Sequence, residues 1–213
     1  MKHLIIVGAR GWGREVYESA RITRPFVQGL FDIKGFLDSK KDAFDGLDGL
    51  YPPILSSPEE YTPQSDDVFF IAMGDPQWRK HYAEVIEKKG GKFLTIICEG
   101  AYVNPTAKIG DGSFIAGWTS ISDSVKIGKH VMIHPFSNIG HDACVGDYSS
   151  IEAYVFVGGE SSIGSESIMH VKSSIIRHKA VGNNVEVGIN SVVMRNIKDG
   201  WHVHGNPAVK IDY

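Results

Sequence analysis

Cysteine is scarce in this chain: Cys98 and Cys144 are the only two among 213 residues, with no paired spacing. A disulfide framework is excluded, and reduced thiols suit the cytoplasm. A long basic run is missing as well, and the net charge of −3 arises from intermingled acids and bases. Nucleic acid is therefore not an expected partner. The N-terminus has neither a charged leader region nor a cleavage site and runs straight into a strand-like stretch. A hydrophobic content of 42 % fits a globular chain with no membrane partner, long enough for two modest domains.

What is present is a period of six. Stepping by six from Ile97 meets Val103, Ile109, Ile115, Ile121, Ile127, Ile133, Ile139, Val145 and Ile151. The series continues through Val157, Ile163, Met169, Ile175, Val181 and Val187 to Val193. Four residues after each comes a mostly small residue, from Ala101 through Ser113, Ser137, Ser149 and Ser167 to Ile197, with Lys179 the plain exception. Such a chain turns a corner every six residues, pointing the aliphatic residue into a narrow prism and packing the small one near each corner. Three faces make a coil of eighteen residues, and coils stack about 4.8 Å apart. The spacing predicts a parallel β-helix from about Ile97 to Ile197. Its left hand follows from what hexapeptide repeats imply in known proteins.

The first ninety or so residues read differently. Strands are expected at Lys2–Val7, Ile33–Leu37, Val68–Ala72 and Lys92–Ile97, with helices at Arg14–Ile22 and Pro76–Lys89. Alternating strands and helices predict a small parallel α/β domain, about half of a full dinucleotide fold. The stretch Asp38–Pro63 is expected to be loop with one short strand near Pro53–Leu55.

Three features could carry chemistry. The turn Gly8–Ala9–Arg10–Gly11–Trp12–Gly13 puts backbone N–H groups and a helix start at the end of the first strand, which suits a phosphate. Its order, G-x-x-G-x-G, departs from the dinucleotide fingerprint, so a nucleotide or nucleotide-sugar site is the leading reading, ahead of a structural turn and of NAD. Asp38 either accepts from a ribose or base or caps the strand end, and Gly74 either admits a ligand or makes a turn. The second feature is His141–Asp142, an outward imidazole beside a carboxylate able to orient it as a general base. The third is a column at spacings of eighteen: Asp123, His141, Gly159, Arg177 and Arg195. Gly159 is expected to leave an open space and a free N–H beside His141. The two arginines either meet the phosphates of a long cofactor or form a solvated face. No metal is expected, because His130, His134, His170, His178, His202 and His204 do not match the histidine spacing of zinc β-helix hydratases.

Taken together, several segments resemble one family over essentially the whole chain. They are Gly8–Val16, Phe36–Leu37–Asp38, Phe70–Gly74, Ile139–Asp142, Val145–Tyr148 and Gly205–Ala208. The chain resembles the hexapeptide-repeat acyltransferases of nucleotide-sugars and sialic acids related to bacillosamine N-acetyltransferase and sialic acid O-acetyltransferase. The resemblance implies a Rossmann-like nucleotide-sugar-binding half-domain over residues 1–96 and a left-handed β-helix acyltransferase domain with a C-terminal tail over 97–213. It implies an enzyme, an acetyl-CoA-dependent acyltransferase acting on an amino group of a nucleotide-linked sugar in surface-glycan assembly. It also implies a homotrimer with acetyl-CoA in a groove between β-helices.

By position, His141 would be the base, Asp142 its orienting carboxylate and Gly159 the oxyanion donor. Arg10, Gly11, Trp12, Asp38 and Gly74 would touch the acceptor, and Ser150, Gly159, Val171 and Ile189 the cofactor. Many relatives carry His where this chain has Trp12 and Ser150. O-acetylation of a sialic-acid-like sugar is the nearest alternative; a non-catalytic scaffold and a zinc hydratase are further ones.

Overall fold

Runs of large apolar residues build the first element, β1 (Lys2–Val7), in which Leu4, Ile5, Ile6 and Val7 are fully buried. Burial on both faces is what a central parallel strand requires. Helices α1 (Gly11–Arg21) and α2 (Arg24–Val27) lead to β2 (Phe31–Leu37) and the short β3 (Ile54–Ser56). After β4 (Asp67–Ile71), α3 (Pro76–Glu87) crosses to β5 (Lys92–Phe93). The computed structural model describes residues 1–47 and 49–211.

The sheet is parallel, in the order β3-β2-β1-β4-β5. The chain winds outward from β1 through β2 to β3 and then returns to the far side of β1. A crevice therefore opens between the C-terminal ends of β1 and β4, the topological switch point at which open α/β sheets bind ligands. The unit is Rossmann-like with a reduced second half, since β3 and β5 are short and β2 reaches β3 without a helix.

Two local expectations are corrected. The first helix starts at Gly11 rather than Arg14, so the glycine turn supplies its first turn. The stretch Lys92–Ile97 is not one strand: Lys92–Phe93 closes the α/β sheet, whereas Ile96–Ile97 opens a sheet of the β-helix. The chain divides into two compact units at the same place, Met1–Ile96 and a second beginning at Ile97.

The second unit is a left-handed parallel β-helix. Two-residue strands stack into three sheets at spacings of eighteen, as in Asn138–Ile139 on Phe156–Val157 on Ser174–Ile175. The aliphatic column fills the prism: Ile121, Ile139, Val157, Ile175 and Val193 are fully buried.

The small residues at the corners do more than save space. Ser149 Oγ donates to the Gly164 carbonyl (2.6 Å) and accepts from the Ser167 N–H (3.1 Å). Ser167 repeats the pattern on Gly182 (2.8 Å) and Val185 (3.0 Å), as Ser113 does on Gly128 (2.9 Å) and Val131 (3.0 Å). Each hydroxyl thus satisfies two corner backbone groups that the strands cannot reach, which is why a buried polar residue is tolerated there. Lys179 stands half-buried in the same column.

Every corner from Trp118 to Asn190 also holds one non-glycine residue at positive φ, among them Trp118, Asp142, Tyr154, Lys172 and Asn190, with φ between 52° and 63°. Left-handed backbone costs an L-residue about 1–2 kcal/mol, and the stacked coils enforce it.

The repeat does not run unbroken to Ile197. Ile175 stacks on Val193, but Val181 bridges Ile197, sixteen residues on rather than eighteen. Two residues are missing from the last corner, so Ile197 takes an aliphatic place instead of a corner place. The strand His202–His204 keeps the shortened register by pairing with Glu186 and Val187, and the last strand, Val209–Lys210, pairs antiparallel to it. Among the described residues, no helix is long and apolar enough to cross a membrane.

Candidate functional sites in the two units

In the α/β unit, a cavity of about 370 Å³ opens at the switch point, lined by Gly8, Arg10, Trp12, Gly13, Asp38, Ser39, Ala72, Met73, Trp78 and Tyr82. Two of the turn's glycines are demanded by the fold. A Cβ on Gly13 would stand 1.8 Å from the Gly8 carbonyl oxygen, and one on Gly8 (φ 105°) would stand 2.9 Å from that of Ala72. Gly11 and Gly74 are different, since a Cβ on either meets nothing within 4 Å. Packing does not demand glycine at those two positions, and neither residue is among those lining the cavity.

Helix α1 begins beside the cavity with no side-chain cap and no acidic residue in its first turn. Its N-terminal amides and dipole suit an anion. Asp38 is buried; its Oδ2 accepts from the Ala9 N–H (2.8 Å) and its Oδ1 from the Lys40 N–H (2.9 Å). It therefore pins the phosphate-type turn to the end of β2 and also lines the cavity.

The opposite wall is aromatic: Trp78 and Tyr82, one helical turn apart on α3, stack at 6.0 Å and 27°. Burial pushes the Tyr82 hydroxyl pKa up, assisted by Glu59 and Asp38. Below them, fully buried Arg79 donates to the Met73 (2.7 Å) and Gly74 (3.0 Å) carbonyls and fixes the loop after β4. Trp78 and Tyr82 were not among the residues expected from sequence, although their i, i+4 aromatic spacing on a helix is legible there.

In the β-helix, His141 and Asp142 occupy a corner. Asp142 lies in the left-handed region (φ 58°), which folds its carboxylate back onto the preceding imidazole: His141 Nδ1 to Asp142 Oδ2 is 2.8 Å. With Nδ1–H donating to the carboxylate, Nε2 keeps the lone pair and is the basic atom. Both side chains are more than half exposed. The hydrogen bond to Asp142 raises the His141 pKa above its ordinary value, opposed by slight desolvation and reinforced by the charges of Asp142, Glu160 and Asp123.

The expected open space beside Gly159 is corrected. A Cβ there would fall 2.7 Å from His141 Nε2, so the imidazole itself fills that space, and glycine is required to seat it. The Gly159 N–H has no acceptor among the described residues.

Val171 and Ile189 stand at another corner, beside the exposed aromatic column Trp118, Phe136 and Tyr154, with Phe136 and Tyr154 stacked at 4.9 Å. Ser150 is buried on a third sheet. Within one chain the structure brings together His141, Asp142 and Gly159, and separately Arg10, Trp12 and Asp38; it does not bring Ser150, Val171 and Ile189 to His141. Among the described residues, no group of His, Cys, Asp and Glu is placed to hold a metal.

Comparison with known proteins agrees with both units. Residues 3–86 match the family described as PglD N-terminal domain, and residues 124–159 match bacterial transferase hexapeptide (six repeats). The first match lies within the α/β unit and the second within the β-helix. Among solved structures it is similar to the acetyltransferase domain of PglB from Neisseria gonorrhoeae FA1090, at 24 % identity, covering 99 % of this chain and 100 % of that one, with a TM-score of 0.87. It is similar to PerB from Caulobacter crescentus, in complex with CoA and GDP-perosamine, at 21 % identity, 100 % and 98 % coverage and a TM-score of 0.88. WeeI from Acinetobacter baumannii AYE matches at 23 % identity over 99 % and 100 %, with a TM-score of 0.70. At these identities the likeness establishes the fold. No curated protein matches the chain significantly.

Proposed function

We propose that this chain is an acetyl-CoA-dependent acyltransferase that acetylates an amino group on a nucleotide-linked sugar, in cytoplasmic surface-glycan assembly. The observation that carries the reading is the His141–Asp142 pair seated against Gly159, whose N–H has no acceptor among the described residues.

His141 Nε2 takes a proton from the acceptor amine as that nitrogen attacks the thioester carbon. Asp142 holds the imidazole in the tautomer that exposes Nε2 and stabilises the imidazolium. The Gly159 N–H donates to the carbonyl oxygen as it gains negative charge. The C–S bond then breaks, and the imidazolium returns its proton to the departing thiolate, leaving the N-acetyl sugar and free CoA. The nucleotide-sugar is assigned to the switch-point cavity, its phosphates toward the α1 N-terminus and its rings toward Trp12 and Trp78. The acceptor class is supported by relatives: PerB was crystallised with GDP-perosamine, and AntD from Bacillus cereus with dTDP-4-amino-4,6-dideoxyglucose.

Because His141 and the pair Val171 and Ile189 occupy different corners, a groove using all of them needs a second chain, and a closed C3 assembly supplies three such grooves. The functional reading is tested by incubating the protein with acetyl-CoA and a panel of nucleotide-linked amino and hydroxy sugars. Release of free CoA with a mass gain of one acetyl group on an amino sugar is expected. Turnover confined to hydroxy sugars overturns the N-acyl assignment, and no thioester cleavage with any acceptor overturns the reading.

A further inference from the structure

The His141–Asp142 pair has a second histidine–carboxylate contact as its neighbour. Further along the same edge, His178 Nδ1 lies 3.4 Å from Glu160 Oε2. Asp142, Glu160 and His178 follow one another at spacings of eighteen, all three in the left-handed region (φ 58°, 58° and 60°). Their N–H groups tie each coil to the one before: Asp142 donates to the Asp123 carbonyl (2.9 Å), Glu160 to that of His141 (2.8 Å) and His178 to that of Gly159 (3.2 Å). The three residues therefore form one column beside the column that carries His141.

The two carboxylates of this column have different partners. Asp142 follows a histidine and bonds that imidazole. Glu160 follows Gly159, where a side chain is barred because the His141 ring fills the space a Cβ would take. Glu160 is instead engaged with the rings of both neighbouring coils: its charge acts on His141, and its Oε2 contacts His178. After the hydrogen bond to Asp142, that charge is among the causes that raise the His141 pKa. Asp123, one coil earlier, also acts on the ring, but its carboxylate is committed to the hydroxyls of Thr106 (2.6 Å) and Ser124 (3.0 Å), which hold its own pKa down. Arg177, the residue before His178, is the exposed cation of this stretch. Of the three carboxylates around His141, Glu160 is thus the one whose contact is a second imidazole, a group able to change charge near neutral pH.

We propose that Glu160 is a second positioning carboxylate for the general base, steadying the His141 imidazolium once it has taken the acceptor's proton, and that His178 sets how much of that charge the base receives. A neutral His178 leaves Glu160 as a full negative charge one coil from the base; a protonated His178 cancels much of it. Both residues act through His141 rather than on the reacting atoms. The inference rests on the acyl-transfer reading and deepens it by adding a control on the base.

The test follows the His141 imidazole by NMR across a pH series in the ligand-free parent, E160Q, H178Q and the double variant, with H141Q assigning the signal. Rate profiles against pH, with acetyl-CoA and an amino-sugar acceptor, accompany it. Glu160 and His178 are about half exposed, and melting curves matching the parent's verify the fold. E160Q is expected to lower the His141 titration midpoint by a few tenths of a pH unit, the effect of one charge a coil spacing away at a solvent-exposed edge, and to carry the acid limb of kcat with it. H178Q is expected to move both in the opposite direction, because the cation that offsets Glu160 is gone, and to do so less when Glu160 is already glutamine. Added salt should shrink both shifts. An unmoved midpoint in E160Q overturns the role of Glu160, as does a slower rate with an unchanged pH profile, which a merely structural residue would give. An H178Q shift that is absent, or of the same sign as that of E160Q, overturns the role of His178. The ligand-free titration separates this proposal from the functional reading: shifted midpoints without turnover of any acceptor keep the coupling and discard acyl transfer, and turnover with unmoved midpoints does the reverse.

Discussion

Ser149 in the β-helix and Ile5 in the α/β unit are equally buried, both at 0 % exposure, yet the two positions obey different rules. In the α/β unit long strands pair with each other along their length, so their buried side chains have only to be apolar. In the β-helix strands are two residues long, and at several of the corners between them a small hydroxyl inside the prism bonds backbone groups of the neighbouring coil, as Ser113, Ser149 and Ser167 do. The comparison extends to the candidate sites. In the α/β unit, loops at a crevice gather residues distant in sequence; in the β-helix, a regular corner is specialised by changing a few residues on it.

The sharpest way to break this contrast is to separate chemistry from recognition. His141→Ala is expected to lower kcat by about 10²–10⁴, the usual worth of a general base, while the nucleotide-sugar KM stays close to that of the parent. Steady-state kinetics with a competent amino-sugar acceptor checks this. A variant retaining a third of the parent kcat would make His141 an ordinary surface residue.

The glycines of the turn come next. Gly13→Ala drives a methyl into the Gly8 carbonyl and is expected to destabilise the chain by about 3 kcal/mol. Gly11→Ala meets open space, and a helix start tolerates alanine, so stability should hold while the nucleotide-sugar KM rises. Denaturation curves and kinetics on the two variants together show which glycine serves the fold and which the ligand.

The corner hydroxyls offer a paired test inside the β-helix. Ser149→Ala strands the Gly164 carbonyl and the Ser167 N–H and should cost about 1–3 kcal/mol. Ser173 is as deeply buried, but its Oγ has no hydrogen-bond partner among the described residues, so Ser173→Ala should cost nothing and tend to stabilise. Equal losses in the two variants would show that volume, not hydrogen bonding, governs these positions.

The smallest effect is a shift along the pH axis. Asp142→Asn keeps an oxygen that can accept from Nδ1–H but removes the negative charge that helps to raise the His141 pKa. A raised pKa keeps the imidazole protonated, and therefore inactive as a base, to higher pH. Lowering it should move the acid limb of the pH–rate profile to lower pH while the plateau rate falls. An acid limb that stays in place would assign it to another group.

The β-helix was legible in the sequence because each of its coils repeats one physical requirement, an aliphatic side chain in the prism every six residues, and no insertion disturbs the count before Val193. The strands and helices of the α/β unit were legible to within a few residues from apolar runs. His141 and Asp142 could be placed outside the prism by counting alone.

Other features needed the tertiary structure. The left-handed corner residues, from Trp118 to Asn190, carry no compositional signature, because the stacked coils impose a conformation that isolated tryptophan, tyrosine or lysine would avoid. The loss of two residues after Val193 is invisible to a pattern that Ile197 still satisfies by hydrophobicity. That Gly13 serves packing while Gly11 faces open space depends on which carbonyl passes nearby, and that Trp78 and Tyr82 wall the cavity depends on how α3 crosses from β4. Periodicity is a property of the chain and can be counted; the distance between segments remote in sequence exists only once the sheet order has brought them together.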